Sequence, residues 1–177
     1  MITFTFFLGI FTWTFLEYVL HRFLGHEHKG RNFFKAEHSQ HHQKVHYFAP
    51  VWKKVSAAAI VSSVLVVLGA LFFSVITVMA FVSGLVGMYG VYEITHSRFH
   101  KKGPIAKPFI LLRKHHFYHH FHNPKVNHGV TTRLWDRVFG TFVPVESVRV
   151  PKQVTMSWLM DGDDIDARYV GHFCLGA

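Results

Sequence analysis

The stretch Val55 to Tyr92, V-S-A-A-A-I-V-S-S-V-L-V-V-L-G-A-L-F-F-S-V-I-T-V-M-A-F-V-S-G-L-V-G-M-Y-G-V-Y, contains no Lys, Arg, Asp or Glu. With Glu93 to Thr95 it would reach roughly 60 Å as one helix, twice the hydrocarbon core of a bilayer at about 30 Å. The tract must therefore fold back on itself. Gly69 to Ser74 is expected to hold the turn, and Gly84, Gly87 and Gly90 suggest close helix packing. Upstream, Met1 to Leu16 is also free of charge and with Glu17 to Leu20 makes a stretch of about 20 residues, enough for one further crossing. A cleaved signal peptide would carry a basic amino end; this tract has none, so a retained span is expected.

Charge orients these spans. Of the 19 Lys and Arg, seven lie between Arg22 and Lys54 and twelve from Arg98 onward, so both of those regions are expected to be cytoplasmic and the amino terminus outside. Ile105 to Leu112, flanked by K-K-G-P and by Arg113 and Lys114, is too short to span and reads as an interfacial or re-entrant helix. The net charge of +9 and pI near 9.9 bring no nucleic-acid recognition motif with them. Attraction to anionic headgroups accounts for the charge more simply, and no nucleic-acid partner is expected.

The cytoplasmic regions are where the histidines gather. Ten of the sixteen fall into spaced sets: His21 and His26; His38, His41 and His42; His96 and His100; His116, His119 and His120. Residues three and four apart share a helix face, so H-S-Q-H-H and H-F-Y-H-H each aim three imidazoles at one point, and His96 and His100 add two more. His21 and His26 are five apart, which turns them away from each other on an ideal α-helix. The expectation is that His21 ends a helix and His26 lies beyond it. Ten imidazoles are too many for one ion and suit two, and nitrogen donors suit iron, copper, nickel or zinc. Zinc hydrolases use fewer histidines per ion, with a carboxylate base near an open position.

Glu17 precedes His21 by four residues and Glu93 precedes His96 by three, so each is a candidate acceptor for the second ring nitrogen of a metal-bound histidine. Interfacial snorkelling or pairing with a nearby Arg is the alternative. His28, His46, His115, His122, His128 and His172 read as ordinary histidines. The chain is expected to divide into a membrane-embedded domain, 1–143, and a C-terminal loop or tail, 144–177, whose D-G-D-D run (Asp161 to Asp164) lacks the alternating ligands of a calcium loop. Cys174 is single and forbids an internal disulfide. The predicted fold class is all-α: a polytopic membrane protein with about three transmembrane helices and a cytoplasmic helical cap holding a histidine-rich di-metal site.

H-R-F-L-G-H, H-S-Q-H-H, Y-E-I-T-H-S-R-F-H and L-L-R-K-H-H-F-Y-H-H-F-H-N-P-K-V-N-H-G-V-T-T-R-L-W-D-R-V-F-G-T resemble the fatty acid hydroxylase superfamily, over Glu17 to about Phe142. The resemblance implies a membrane-embedded, iron-dependent di-metal oxidoreductase that uses O2 and supplied electrons to oxidise an unactivated C–H bond of a membrane lipid. It carries the ligand role onto the ten clustered histidines and implies no further catalytic side chain. Trp135 to Thr141 would pack beside the site, and Asn127 and Gly129 match the family's asparagine-aromatic-glycine turn, with His128 in the aromatic place. The motifs look most similar to the fatty acid 2-hydroxylases. Carotenoid and sterol oxidation remain the alternatives. Because the chain opens on its first span without a fused cytochrome b5 domain, the expected electron donor is a separate protein such as a ferredoxin, or cytochrome b5 with its reductase. From another class, a metal transporter or sensor would need polar groups through the bilayer, and the hairpin offers only hydroxyls and terminal Glu93.

Overall fold

In the computed structural model, which describes residues 1–103 and 106–176, the first apolar tract is helix α1 (Ile2–Val19). It continues without a break into a π-helical stretch, Leu20–Glu27. His26 therefore does not lie beyond the helix, as the α-helical period led one to expect. The second tract doubles back as foreseen: α3 (Val51–Gly69) and α4 (Val75–Lys101) are joined by a turn at 70–74. Three helices, Ile2–Glu27, Val51–Gly69 and Val75–Lys101, are long and apolar enough to cross a membrane. The most apolar window of α3 buries none of its residues. An apolar surface left so bare is stable only against an apolar solvent, and the helices satisfy their own backbone groups there.

The chain forms two compact units, Met1–Leu16 with Phe48–Ile94, and Glu17–Tyr47 with Thr95–Ala177. In the first, α1 and α4 touch backbone to backbone. A Cβ on Gly9 would fall 2.1 Å from the Phe81 carbonyl oxygen and one on Gly84 2.0 Å from that of Phe6, so both positions require glycine. Gly87 and Gly90 face open space, so of the three glycines read as packing residues only Gly84 packs. Trp13 packs beside Tyr89 and Tyr92 with its ring tilted to both, at centroid distances of 4.7 and 5.9 Å.

The second unit holds the remaining helices. Asn32 caps α2 (Phe33–Gln43), its side-chain oxygen accepting from the Lys35 N–H at 2.7 Å. Helix α5 (Lys107–Phe121) starts with Pro108 in its first turn, where a missing N–H costs nothing. Ile105, the expected start of an interfacial helix, lies outside the described residues. From Lys107 that segment is the opening of α5 and runs straight into H-F-Y-H-H. A short α6 (Leu134–Val138) follows.

Residues 144–176, expected as loop or tail, are folded. Strand β1 (Val148–Val150) pairs in parallel with β4 (Phe173–Leu175), and β2 (Met160–Asp161) pairs with β3 (Asp164–Ile165) across a tight turn with Gly162 at φ 60°. The D-G-D-D run is that hairpin turn. Val148, Val150, Met156, Leu159, Tyr169 and Phe173 are buried. Strands of two or three residues are too short to show the alternation that identifies a strand in sequence.

Candidate metal centre

Five histidines from three segments meet in one group: His21 and His26 on the π-helical stretch, His38 and His42 on α2, and His119 on α5. A second group takes His41 from α2, His96 and His100 from α4, and His116 and His120 from α5. In each group, one ring nitrogen from every histidine lies within 4.8 Å of the others. All ten clustered histidines are thus brought together, five and five. Helices α2 and α5 serve both groups because consecutive histidines, turned about 100° from each other around a helix, enter different groups: His41 and His42, His119 and His120.

The π-helical stretch explains the awkward five-residue spacing. Its i→i+5 hydrogen bonding stacks positions five apart on one face. The rings of His21 and His26 stand 5.3 Å apart, centroid to centroid. The spacing was itself the signal, read with the wrong helical period.

Backbone carbonyls fix which nitrogen faces inward. His21 Nδ1 donates to the His128 carbonyl, His41 Nδ1 to Tyr47 at 2.7 Å and His119 Nδ1 to Val126 at 2.8 Å. A carbonyl can only accept, so each ring carries its proton on Nδ1 and presents the Nε2 lone pair to the group. Those lone pairs crowd. His26 Nε2 lies 2.8 Å from His38 Nε2 and 2.9 Å from His119 Nε2, and His119 Nε2 lies 3.2 Å from His42 Nε2. In the second group, His100 Nε2 and His116 Nε2 are 2.9 Å apart.

One N–H cannot serve several such contacts, whereas a shared cation can. Imidazole nitrogens about 2.1 Å from a common ion and at right angles around it would be about 3.0 Å apart. The observed separations bracket that value. Among the described residues, buried His21 Nε2 and both ring nitrogens of His120 have no hydrogen-bond partner, as expected of donors reserved for an ion. The donor set therefore fits two first-row transition-metal ions.

Burial and then mutual proximity hold His38, His116, His119 and His120 well below the ordinary imidazole range, and the same causes take His42 down to about 3. These rings stay neutral at physiological pH and keep their lone pairs. The two groups differ in exposure. His26, His38 and His42 of the first are half-buried, whereas in the second only His120 is.

Glu17 does not reach for His21 directly. Its Oε1 accepts from the N–H groups of Val130 and Thr131, and its Oε2 from the Thr131 hydroxyl. That anchors the turn whose His128 carbonyl receives His21. Glu93 pairs with Lys54 Nζ at 2.5 Å, an ion pair of the kind expected for it but with a lysine far along the chain in place of a nearby arginine.

A second carboxylate, missed by the reading of the sequence, grips the same turn. Asp136 is fully buried and accepts from His115 Nε2 (2.9 Å), from the N–H groups of His128 and Gly129 (2.8 Å each) and from the Thr141 hydroxyl (2.7 Å). Burial alone would raise its pKa, but these donors prevail and hold it well below the carboxylate range. The turn itself needs Asn127 at φ 59° and Gly129, where a Cβ would fall 2.0 Å from the Thr132 carbonyl oxygen. Backbone carbonyls leave no mark in a sequence. Asp136 and His115 sit inside motifs that were quoted, but nothing about their spacing shows that they meet.

The sequence profile described as fatty acid hydroxylase matches residues 6–141. The chain is 33% identical over 155 residues to a fatty acid 2-hydroxylase of Mus musculus, covering 80% of this chain and 40% of that protein. It is 34% identical over 143 residues to a dihydroceramide fatty acyl 2-hydroxylase of Arabidopsis thaliana, covering 78% and 60%. Against a ceramide very long chain fatty acid hydroxylase of Saccharomyces cerevisiae the identity is 34% over 152 residues, covering 79% and 38%. A solved structure of full-length Scs7p, in which only the hydroxylase domain is visible, superposes with a TM-score of 0.64 at 26% identity, over 80% of this chain and 56% of that one. The chain thus spans about two fifths of the length of the mouse and yeast relatives.

Proposed function

The chain belongs to the fatty acid hydroxylase family, and on that premise we propose that its ten clustered histidines hold two iron ions and that it hydroxylates a fatty acyl chain of a membrane lipid, at the carbon beside the acyl carbonyl. The observation that carries this reading is the pair of five-histidine groups, each with its ring nitrogens converged within 4.8 Å. Two of the relatives named above are acyl 2-hydroxylases and the yeast one is a fatty acid hydroxylase, which supports the substrate class over pigments and sterols.

Two reduced irons would supply the binding and activation of dioxygen, so that one oxygen atom enters a C–H bond as hydroxyl and the other leaves as water, with two electrons from an external donor. A ferredoxin, or cytochrome b5 with its reductase, fits that donor role. The chain's own contribution is ligation and order. His21, His41 and His119 are locked by backbone carbonyls with Nε2 inward, and burial keeps the imidazoles neutral so that they bind metal without first losing a proton. Glu17 and Asp136 both hold the turn that receives His21, through the N–H groups of Val130 and Thr131 and of His128 and Gly129, and no side chain need act as nucleophile. The clustering of Lys and Arg beside the histidine-bearing segments supports a centre on the cytoplasmic side, where a lipid enters laterally and soluble donors have access.

The test is expression in a host whose lipids are then analysed by mass spectrometry, alongside metal analysis of the purified chain. About two irons per chain and acyl groups heavier by one oxygen are expected with the wild type, and neither the full iron nor the added oxygen with His119→Ala. Bound iron with unchanged acyl lipids but altered pigments or sterols would overturn the substrate assignment.

A further inference from the structure

The family match ends at residue 141, and the folded segment that follows reaches the ligand-bearing end of α4 through Trp158. Trp158 Nε1 donates to the His100 carbonyl at 2.9 Å. The Trp158 ring lies over the Arg113 guanidinium, 4.0 Å from centroid to Cζ. Arg113, fully buried, donates through Nη2 to the carbonyls of Arg98, in the last turn of α4, and of Lys102, just past its end. The fit leaves no slack: a Cβ on Gly103 would meet the Tyr169 hydroxyl at 2.9 Å and Trp158 Cβ at 3.1 Å. On the other side, Trp158 and Phe173 pack on buried Phe117, whose ring is 5.2 Å from that of His100.

From this geometry we infer that the segment 144–176 is a clamp on one of the two metal groups, and that Trp158 and Arg113 are positioning residues for His100. The clamp acts by fixing where the last turn of α4 ends and therefore where His96 and His100 aim. Among the described interactions, the metal-group histidine that Trp158 reaches directly is His100, which belongs to the group of His41, His96, His100, His116 and His120. The other group is built from the π-helical stretch, α2 and His119, none of which Trp158 contacts in the described interactions. A packing role without positioning would weaken the whole unit and release both ions alike. A clamp releases one.

The inference rests on the reading of the two groups as metal sites, and the experiment separates the two. The full chain, purified in detergent and loaded with Co2+, is mixed with excess chelator, and release is followed through the cobalt ligand-field absorbance. Wild type is expected to hold about two ions per chain. Trp158→Phe keeps the ring over Arg113 but removes the indole N–H, and is expected to release one of the two ions on the order of tenfold faster. In a His38→Ala background, which disables the first group, the ion that remains is expected to be the accelerated one. Gly103→Ala displaces the clamp while leaving all its side chains, and is expected to give the same selective change should Trp158→Phe fold poorly. Equal acceleration of both ions, or release unchanged in both variants, overturns the clamp. A wild-type chain that binds no cobalt overturns the metal reading itself.

Discussion

At the scale of single residues, acid stability is where the centre should declare itself before any metal is added. His38, His42, His116, His119 and His120 are held neutral by burial, with folded-state pKa values below the ordinary value of about 6.5. In the unfolded chain the same rings take up protons as pH falls below about 6.5. The unfolded state then binds more protons than the folded one, so stability declines from that point downward, over a window that for His42 extends to about 3. Asp136 pushes in the same direction at lower pH. Its folded pKa is depressed, so its contribution is present above the unfolded value of about 3.9 and is lost as pH falls below it. Denaturant unfolding of the metal-free chain in micelles should show a midpoint that is level above about pH 7 and falls steadily between pH 6.5 and 5. A midpoint unchanged across that interval would mean the imidazoles are not buried neutral together.

At the scale of elements, the π-helical stretch carries the burden of bringing His21 and His26 to the same group, and Gly25 inside it packs directly against the His38 ring of α2. A Cβ there would meet His38 Cδ2 at 2.9 Å and its Cγ and Nε2 at 3.4 Å. An imidazole can swing aside, so Gly25→Ala is expected to fold but to misplace His38. The ion held by His21, His26, His38, His42 and His119 should bind on the order of tenfold more weakly, with the other ion unaffected, as chelator competition would read. Loss of both ions together would show that the two groups are not separately built.

The same element marks where reading the sequence stops working. The i, i+3 and i, i+4 spacings of His38 to His42, His96 with His100, and His116 to His120 named their helices and their faces, because the α-helical period is a local property. The five-residue gap of His21 and His26 obeys a different period, and no local rule announced it. The C-terminal clamp was hidden for another reason: its strands of two or three residues are held by partners far along the chain, Val148 by Phe173 and Trp158 by His100. Both carboxylates expected beside histidines were in fact engaged elsewhere, Glu17 with Thr131 and Glu93 with Lys54, since helix spacing places a side chain on a face without choosing its partner.

At the scale of the whole molecule, the question is which side of the membrane each segment meets. The apolar tracts leave three candidate spans, and all 19 Lys and Arg fall between Arg22 and Lys54 or from Arg98 onward. Basic residues resist export, so the turn at 70–74 should be extracellular while the histidine-bearing segments stay within the cell. Cys174 is the chain's single cysteine and is exposed, which makes it a native reporter for the segments after α4. Ser74→Cys adds a reporter at the start of α4, beside the hairpin turn, in a chain that otherwise has only Cys174. A membrane-impermeant maleimide applied to intact cells should label the Ser74→Cys chain and leave the wild-type chain unmodified, and Cys174 should react only after the membrane is permeabilised. Labelling of wild-type Cys174 in intact cells would place the histidine-bearing segments outside, away from any cytoplasmic electron donor, and the proposed hydroxylase would then need a different source of electrons.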